Sequence, residues 1–296
     1  MPVKLTRRLL FLLRQNPAIT DRWDYHLRPI HYYEPLPDFA QITAEQTQRR
    51  RQSTAIDYNL PGQVQLVRRL GEQYRPELEE LARLPEPDGF NFKNGYFIDF
   101  DAAMYYALLR DLKPKQVIEI GSGNSTRIAD KALKRNRAEG HPSSLTCIEP
   151  FPQPRLTDAK VDIELIVRPV ESIELDFFKR LQSGDVLFID SSHAVKFGGD
   201  VCREFLEILP SLAPGVWIHV HDIFFPHDYP AEWLIEKRIA FNEQYLLEAF
   251  LAYNHSFSVQ AANNWLCIDH AEDVKFLCSG IIGDSGGASF WMRKEL

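Results

Sequence analysis

The chain has 296 residues, 45% hydrophobic and 25% charged, with a formal net charge of −7. That length supports one large α/β core with an appended region. No apolar run reaches the roughly 18 to 20 residues that span a bilayer, and no small-residue cleavage site follows the short apolar stretch near the N-terminus, so a cytoplasmic protein is expected. Charge is uneven. Residues 1–51 hold nine Lys/Arg against five acids, +4, which leaves −11 for the remainder. A body this acidic argues against nucleic acid as a partner, because phosphate contacts need a basic face. The four cysteines, Cys147, Cys202, Cys267 and Cys278, match no Cys-x-x-Cys pattern and read as reduced apolar residues.

In chain order, "KLTRRLLFLLRQ" places Leu5, Leu9, Leu12 and Leu13 at helical spacing among Arg7, Arg8 and Arg14. Such a helix packs on its own domain or a partner subunit, or lies on an anionic membrane surface. Proline-punctuated segments follow, with helices predicted over 43–54 and 61–84 before the breaker "LPEPDG". Composition changes near residue 95, so 1–94 reads as a helical, proline-broken extension that caps the site, builds a homodimer or binds a surface. Residues 95–296 form the main domain. There, "QVIEI", "SLTCIE", "IELIVRPV", "DVLFID" and "GVWIHVHD" read as five successive strands with helices between them. "HSFSVQAA" and "GASFWMRK" supply two later strands, and "NNWLCIDHAEDVKFL" reads as helical.

"VIEIGSGNST" leaves the first of these strands and enters a helix with Ser125 as the expected N-cap. Gly121, Ser122 and Gly123 allow a tight turn and close ligand approach at a helix N-terminus. The third glycine of a dinucleotide fingerprint is absent. Glu119, just inside the strand end, suits an ammonium group better than a pyrophosphate, which points to S-adenosylmethionine; a ligand-free structural turn would also account for the glycines. Glu149 ends the second strand, where an acid accepts from both ribose hydroxyls. Val170 and Glu171 end the third, beside the expected adenine position. Phe100 and Asp101 would close the methionine end, or Asp101 would cap its helix.

Together "VIEIGSGNST", "CIEP", "LFIDSSH" and "GVWIHVHDIFFPHDYP" resemble the class I S-adenosylmethionine-dependent methyltransferases, in the branch near catechol and macrocin O-methyltransferases. The resemblance covers roughly residues 95–296. It implies a Rossmann-like, doubly wound α/β fold with a mostly parallel seven-stranded sheet in the order 3-2-1-4-5-7-6. Fold alone does not set the reaction or the acceptor.

"FIDSSH" and "WIHVHD" bring Asp190, His193, His221 and Asp222 to one rim of the sheet, with His219 deeper in the core. In the metal-dependent relatives, residues at the positions of Asp190, His221 and Asp222 would hold a divalent ion that lowers the acceptor's pKa. His221 replaces an oxygen ligand and shifts preference from Mg toward Mn, Fe or Zn. Alternatively, His193 or His221 is a general base held by Asp222 or Asp190. After the fifth strand, His227, Asp228 and Tyr229 are candidate substrate contacts, whereas Phe225 and Trp233 read as packing aromatics. The expected activity is O-methylation of a small-molecule or glycan-type hydroxyl, with an N-acceptor left open. The alternatives are a hydroxylase-like enzyme with a metal at the rim, or a non-catalytic adenosyl-ligand scaffold.

Overall fold

The structure is a computed structural model that describes residues 3–51, 53–86, 88–97, 99–153, 161–278 and 286–296. Its seven strands are β1 (Gln116–Ile120), β2 (Ser144–Ile148), β3 (Glu164–Ile166), β4 (Val186–Ile189), β5 (Trp217–Val220), β6 (Phe257–Ala262) and β7 (Phe290–Lys294). They form one sheet in the expected order β3-β2-β1-β4-β5-β7-β6. The first five are mutually parallel, while β7 runs antiparallel to both β5 and β6. All seven expected strands are present; β1 spans its whole run and the other six are shorter than theirs.

Alternation along each strand sends neighbouring side chains into two different cores. Val117 of β1, Cys147 of β2 and Phe188 of β4 pack with the helices Leu60–Arg83, Asp99–Leu112 and Asn124–Ala138 on one face. Ile118 and Ile120, Ile148, and Leu187 and Ile189 pack on the other with the segment 170–181, the helical stretch 200–211 and the helix Glu243–Leu251. The parallel strands therefore deliver their carboxyl ends to a common rim, where ligands bind in open α/β sheets.

One sequence expectation shifts. The helix predicted over 43–54 is confined to Ala44–Gln48, and Gln52 lies outside the described residues. The chain packs as two compact units. One compact unit comprises Gln48–Tyr229 with Phe241–Leu296, the other Met1–Thr47 with Pro230–Ala240. The helix Leu60–Arg83 belongs to the sheet-bearing unit because Val67, Leu70, Tyr74 and Leu78 join its core. Glu77 on that helix also accepts from Tyr106 Oη at 2.6 Å and from the buried Arg110 Nε at 2.8 Å. The smaller unit carries the helix Val3–Gln15, on which Leu9, Leu10, Phe11 and Leu12 are exposed. Among the described residues, no helix is long and apolar enough to cross a membrane.

Candidate active site

The turn after β1 is built as its glycines suggest, with one change. Gly121 has φ +87°, and a Cβ there would lie 2.0 Å from the Asp190 carbonyl oxygen, so only glycine fits between the ends of β1 and β4. A Cβ on Gly123 would meet nothing within 4 Å, which leaves open space above the turn. The helix starts at Asn124, one residue before the expected cap. Ser125 is buried within its first turn, and Thr126 Oγ1 accepts from Gly123 N–H at 3.0 Å. Asn124 Nδ2 donates to Asn94 Oδ1 at 2.9 Å, tying the 91–97 loop to the turn.

Beside this turn is a cleft of about 580 Å³ lined by Gly121, Glu149, Val170, Glu171, Asp190 and their neighbours at the carboxyl ends of β1 to β4. Glu149 Oε1 accepts from Phe151 N–H at 2.8 Å, which fixes the carboxylate at the cleft wall. Ser122 Oγ is buried and has no hydrogen-bond partner among the described residues.

Other expected ligand contacts are turned inward. Glu119 sits on the Val117 side of β1 and is fully buried. Its carboxylate accepts from Tyr105 Oη at 2.9 Å and Thr126 Oγ1 at 2.5 Å, with Cys147 Sγ at 3.6 Å. Burial dominates these partners and pushes its pKa up to about 7. The residue steadies the turn through Thr126; it does not line the cleft. Asp101 does not cap its helix, which begins at Asp99. Its oxygens accept from Asn263 Nδ2 at 2.8 Å and from the backbone of Ala288 and Ser289 at 2.8 and 3.0 Å, and Phe100 is wholly buried. Both are therefore core elements that lock the start of β7.

The rim histidines converge on carboxylates. His193, at φ +56°, directs Nε2 to Asp190 Oδ1 at 3.2 Å and to Asp222 Oδ2 at 3.4 Å. Its Nδ1 meets Glu243 Oε2 at 2.8 Å. Burial opposes a charge on His193, but these acids outweigh it and hold the pKa well above the ordinary value. The Asp190 carboxyl is correspondingly lowered; burial alone would raise it, and the facing His221 and His193 prevail. His221 Nε2 stands 3.7 Å from Asp222 Oδ1, its ring centroid 5.3 Å from that of Phe97, and its buried Nδ1 has no hydrogen-bond partner among the described residues. His219 is the core residue its depth implied. It stacks on Phe188 at 3.8 Å and bonds Ser289 Oγ at 2.8 Å, and burial holds it neutral.

Among the described residues, no three His, Cys, Asp or Glu side chains are arranged to hold a metal. His193 Nε2 faces both Asp190 and Asp222.

Of the acceptor-side candidates, Tyr229 is buried, and its hydroxyl accepts from Gln244 N–H at 3.0 Å. Asp228 is engaged by Tyr245 Oη at 2.5 Å and by Arg51 Nη1 at 3.4 Å. These two residues brace the loop, while His227 is half-buried. Phe225 packs edge-on against Phe290, as expected. The sequence placed Glu243 on the helix after this loop, among polar groups that could fix acceptor hydroxyls, without its pairing to His193; it missed Glu204, which is buried behind the rim and accepts from Ser191 Oγ at 3.1 Å. The spacing Val201, Glu204, Ile208 places Glu204 on an apolar helix face, and that was the available signal.

Residues 118–223 match the family model of a methyltransferase domain. An uncharacterized protein of Archaeoglobus fulgidus is 29% identical over 171 residues, covering 52% of this chain and 73% of its own length. Two solved structures are distantly similar. The O-methyltransferase TomG of Streptomyces achromogenes, in complex with SAM, has a TM-score of 0.41 and 16% identity over 76% of this chain and 90% of its own. An O-methyltransferase of Bacillus cereus, in complex with SAH, has a TM-score of 0.40 and 14% identity over 78% and 90%. The segment 118–223 is thus similar to methyltransferase domains, and the sheet order β3-β2-β1-β4-β5-β7-β6 around it is that of a Rossmann-like methyltransferase fold.

Proposed function

We propose that the chain is an S-adenosylmethionine-dependent O-methyltransferase acting on a small-molecule or glycan-type hydroxyl, with His193 taking the acceptor proton. One observation carries this reading. Asp190 both lines the cleft and pairs with His193 at 3.2 Å, so the ligand cleft and the proton-handling rim share a wall. The residues fit the ligand. Glu149, Val170 and Glu171 line the cleft, which supports a ribose contact for Glu149 and an adenine position beside Val170 and Glu171, and the open space at Gly123 and the buried Ser122 hydroxyl leave room for a polar group.

S-adenosylmethionine supplies an electrophilic sulfonium methyl group and leaves as S-adenosylhomocysteine. The chain's work is orientation and deprotonation. The neighbouring acids at Nδ1 and Nε2 favour protonated His193, so the form whose Nε2 can take the acceptor proton is populated as pH rises. The acceptor proton moves there as the oxygen–methyl bond forms.

Transfer of a labelled methyl group to a panel of catechol, phenol and sugar hydroxyls, with and without chelator, tests this. The expected result is chelator-insensitive transfer that falls by about 10² to 10⁴ in His193→Ala. Transfer abolished by chelation, or unchanged in the variant, would overturn the assignment to His193; transfer confined to amines would overturn the hydroxyl acceptor.

For the N-terminal unit we propose contact with an anionic membrane surface. The helix Val3–Gln15 carries four Lys/Arg and no acid, beside a half-exposed run from Leu9 to Leu12. The full chain should co-sediment with phosphatidylglycerol vesicles and not with phosphatidylcholine alone, and salt should weaken the binding. A vesicle-indifferent dimer that covers these leucines would contradict it.

A further inference from the structure

The loop from Phe224 to Tyr229 follows the end of β5, and every one of its residues is held by a group from outside it. Gln244, wholly buried, spans the loop. Its Oε1 accepts from Phe224 N–H at 2.5 Å, its Nε2 donates to the His227 carbonyl at 2.9 Å, and its backbone N–H donates to Tyr229 Oη at 3.0 Å. Asn264 Nδ2 donates to the Phe224 carbonyl at 2.7 Å and to that of Phe225 at 3.3 Å. Arg51 N–H donates to the Pro226 carbonyl at 2.8 Å, and Tyr245 Oη donates to Asp228 Oδ1 at 2.5 Å. The Arg51 guanidinium lies 3.4 Å from Asp228 Oδ2, 3.0 Å from Glu248 Oε2 and 5.0 Å from the centre of the Tyr245 ring. Its side chain is only 24% exposed, so these contacts are screened less than surface pairs.

Register puts the loop at the carboxyl rim. Val220 at the end of β5 pairs with Phe290, and Phe290 pairs with Ala262 at the end of β6, from which the helix carrying Asn264 departs. One side chain of the loop is left over. The His227 imidazole is half-buried and, among the described residues, makes no hydrogen bond or ion pair. Burial and the nearby Arg50 outweigh Asp269 and lower its pKa, so the ring is neutral and carries one donor and one acceptor, the pair that a hydroxyl can answer. A loop tied at every residue around one unengaged imidazole is a rigid mount for that side chain.

We propose that His227 binds a hydroxyl of the acceptor, and that Gln244 and Arg51 are the positioning residues that present it. This rests on the O-methyltransferase reading above and names a residue of its acceptor side. Because the loop is fixed before the acceptor arrives, binding through His227 orders little chain, and loosening the loop weakens the hold on the acceptor without touching proton transfer.

Steady-state methyl transfer by the full chain to the hydroxyl panel tests this through a double-mutant cycle on acceptor KM. His227→Ala should raise KM about tenfold, the loss of one hydrogen bond, with kcat within about twofold of wild type. Arg51→Met should raise KM in the same direction, and the double variant should be little worse than His227→Ala, because Arg51 acts through the ring it presents. Bracing without presentation gives another pattern, in which the active fraction and kcat fall, KM stays, and the two losses multiply. Gln244→Leu strands the Phe224 N–H in the core, so Gln244→Glu, which keeps that acceptor and loses the donation to His227, carries the same comparison for Gln244. Unchanged KM in His227→Ala, or losses that multiply in the double variant, would overturn the proposal. Affinity for S-adenosylhomocysteine should be the same in wild type and every variant; weaker binding in His227→Ala would move the ring to the cofactor cleft and overturn it too. Wild type that transfers to no hydroxyl would sink the functional reading and the acceptor role of His227 with it. Hydrogen exchange of the 224–229 amides, expected to be faster in Arg51→Met, would then still decide whether Arg51 holds the loop.

Discussion

Glu119 closes β1 with its carboxylate facing Tyr105, Thr126 and Cys147, and that orientation makes stability depend on pH. Its folded pKa of about 7 lies above the ordinary 4.5, because burial penalises the charge more than its donors relieve it. The folded state therefore prefers the protonated acid. The associated stability is fully present below the unfolded value and is lost as pH rises through about 7. A shift of that size corresponds to about 3 kcal/mol at most. Glu119→Gln, neutral at every pH, should lose less stability between mildly acidic and alkaline conditions than wild type; parallel curves of Tm against pH would contradict the assignment. Gly121 makes a sharper prediction. Alanine there meets the Asp190 carbonyl at 2.0 Å in a left-handed conformation, so Gly121→Ala should cost about 2 to 4 kcal/mol and distort the cleft. A variant as stable as wild type in chemical denaturation would show that the β1 and β4 ends part easily.

Strand ends explain which site residues could be read from sequence. Glu149, Val170 and Asp190 follow apolar runs, and in a parallel sheet that alone puts them at the rim formed by the carboxyl ends, where all three line the cleft. Facing was harder to read. Glu119 and Asp101 also sit near element ends, but their direction is set by partners such as Thr126, Asn263 and Ser289, up to 188 residues away. Glu243 carried no separate signal, since an acid in a helix's first turn is common for electrostatic reasons alone. Asp101 now has a structural role that can be tested. It receives three hydrogen bonds that tie the helix Asp99–Leu112 to the start of β7 and to the helix Asn263–Asp269. Asp101→Ala should destabilise the protein by about 3 kcal/mol, since buried donors are left unmet. Affinity for S-adenosylhomocysteine in the folded fraction should be unchanged; weaker binding would return Asp101 to the ligand site.

At the scale of the whole chain, the parallel strands were legible because five apolar runs alternate with helical patterns, while their order was what the family resemblance implied. The helix Leu60–Arg83 precedes the composition change near residue 95, yet its apolar stripe completes the sheet-bearing core. The smaller unit draws Pro230–Ala240 from far along the sequence, a discontinuity that no local pattern announces. Removal of residues 1–40 should accordingly leave the cleft's ligand affinity intact while altering vesicle binding or acceptor turnover. A truncated chain that binds vesicles and turns over like the full one would show those residues to be dispensable. The central claim is that the cleft beside Gly121 and Glu149 binds S-adenosylmethionine, and the most direct measurement is calorimetric titration of S-adenosylhomocysteine into the full chain and into Glu149→Ala. The account predicts one site per chain in wild type and an affinity at least about tenfold weaker in the variant, the loss of one charge-assisted hydrogen bond or more. No binding to wild type, or equal affinity in a folded variant, would contradict it.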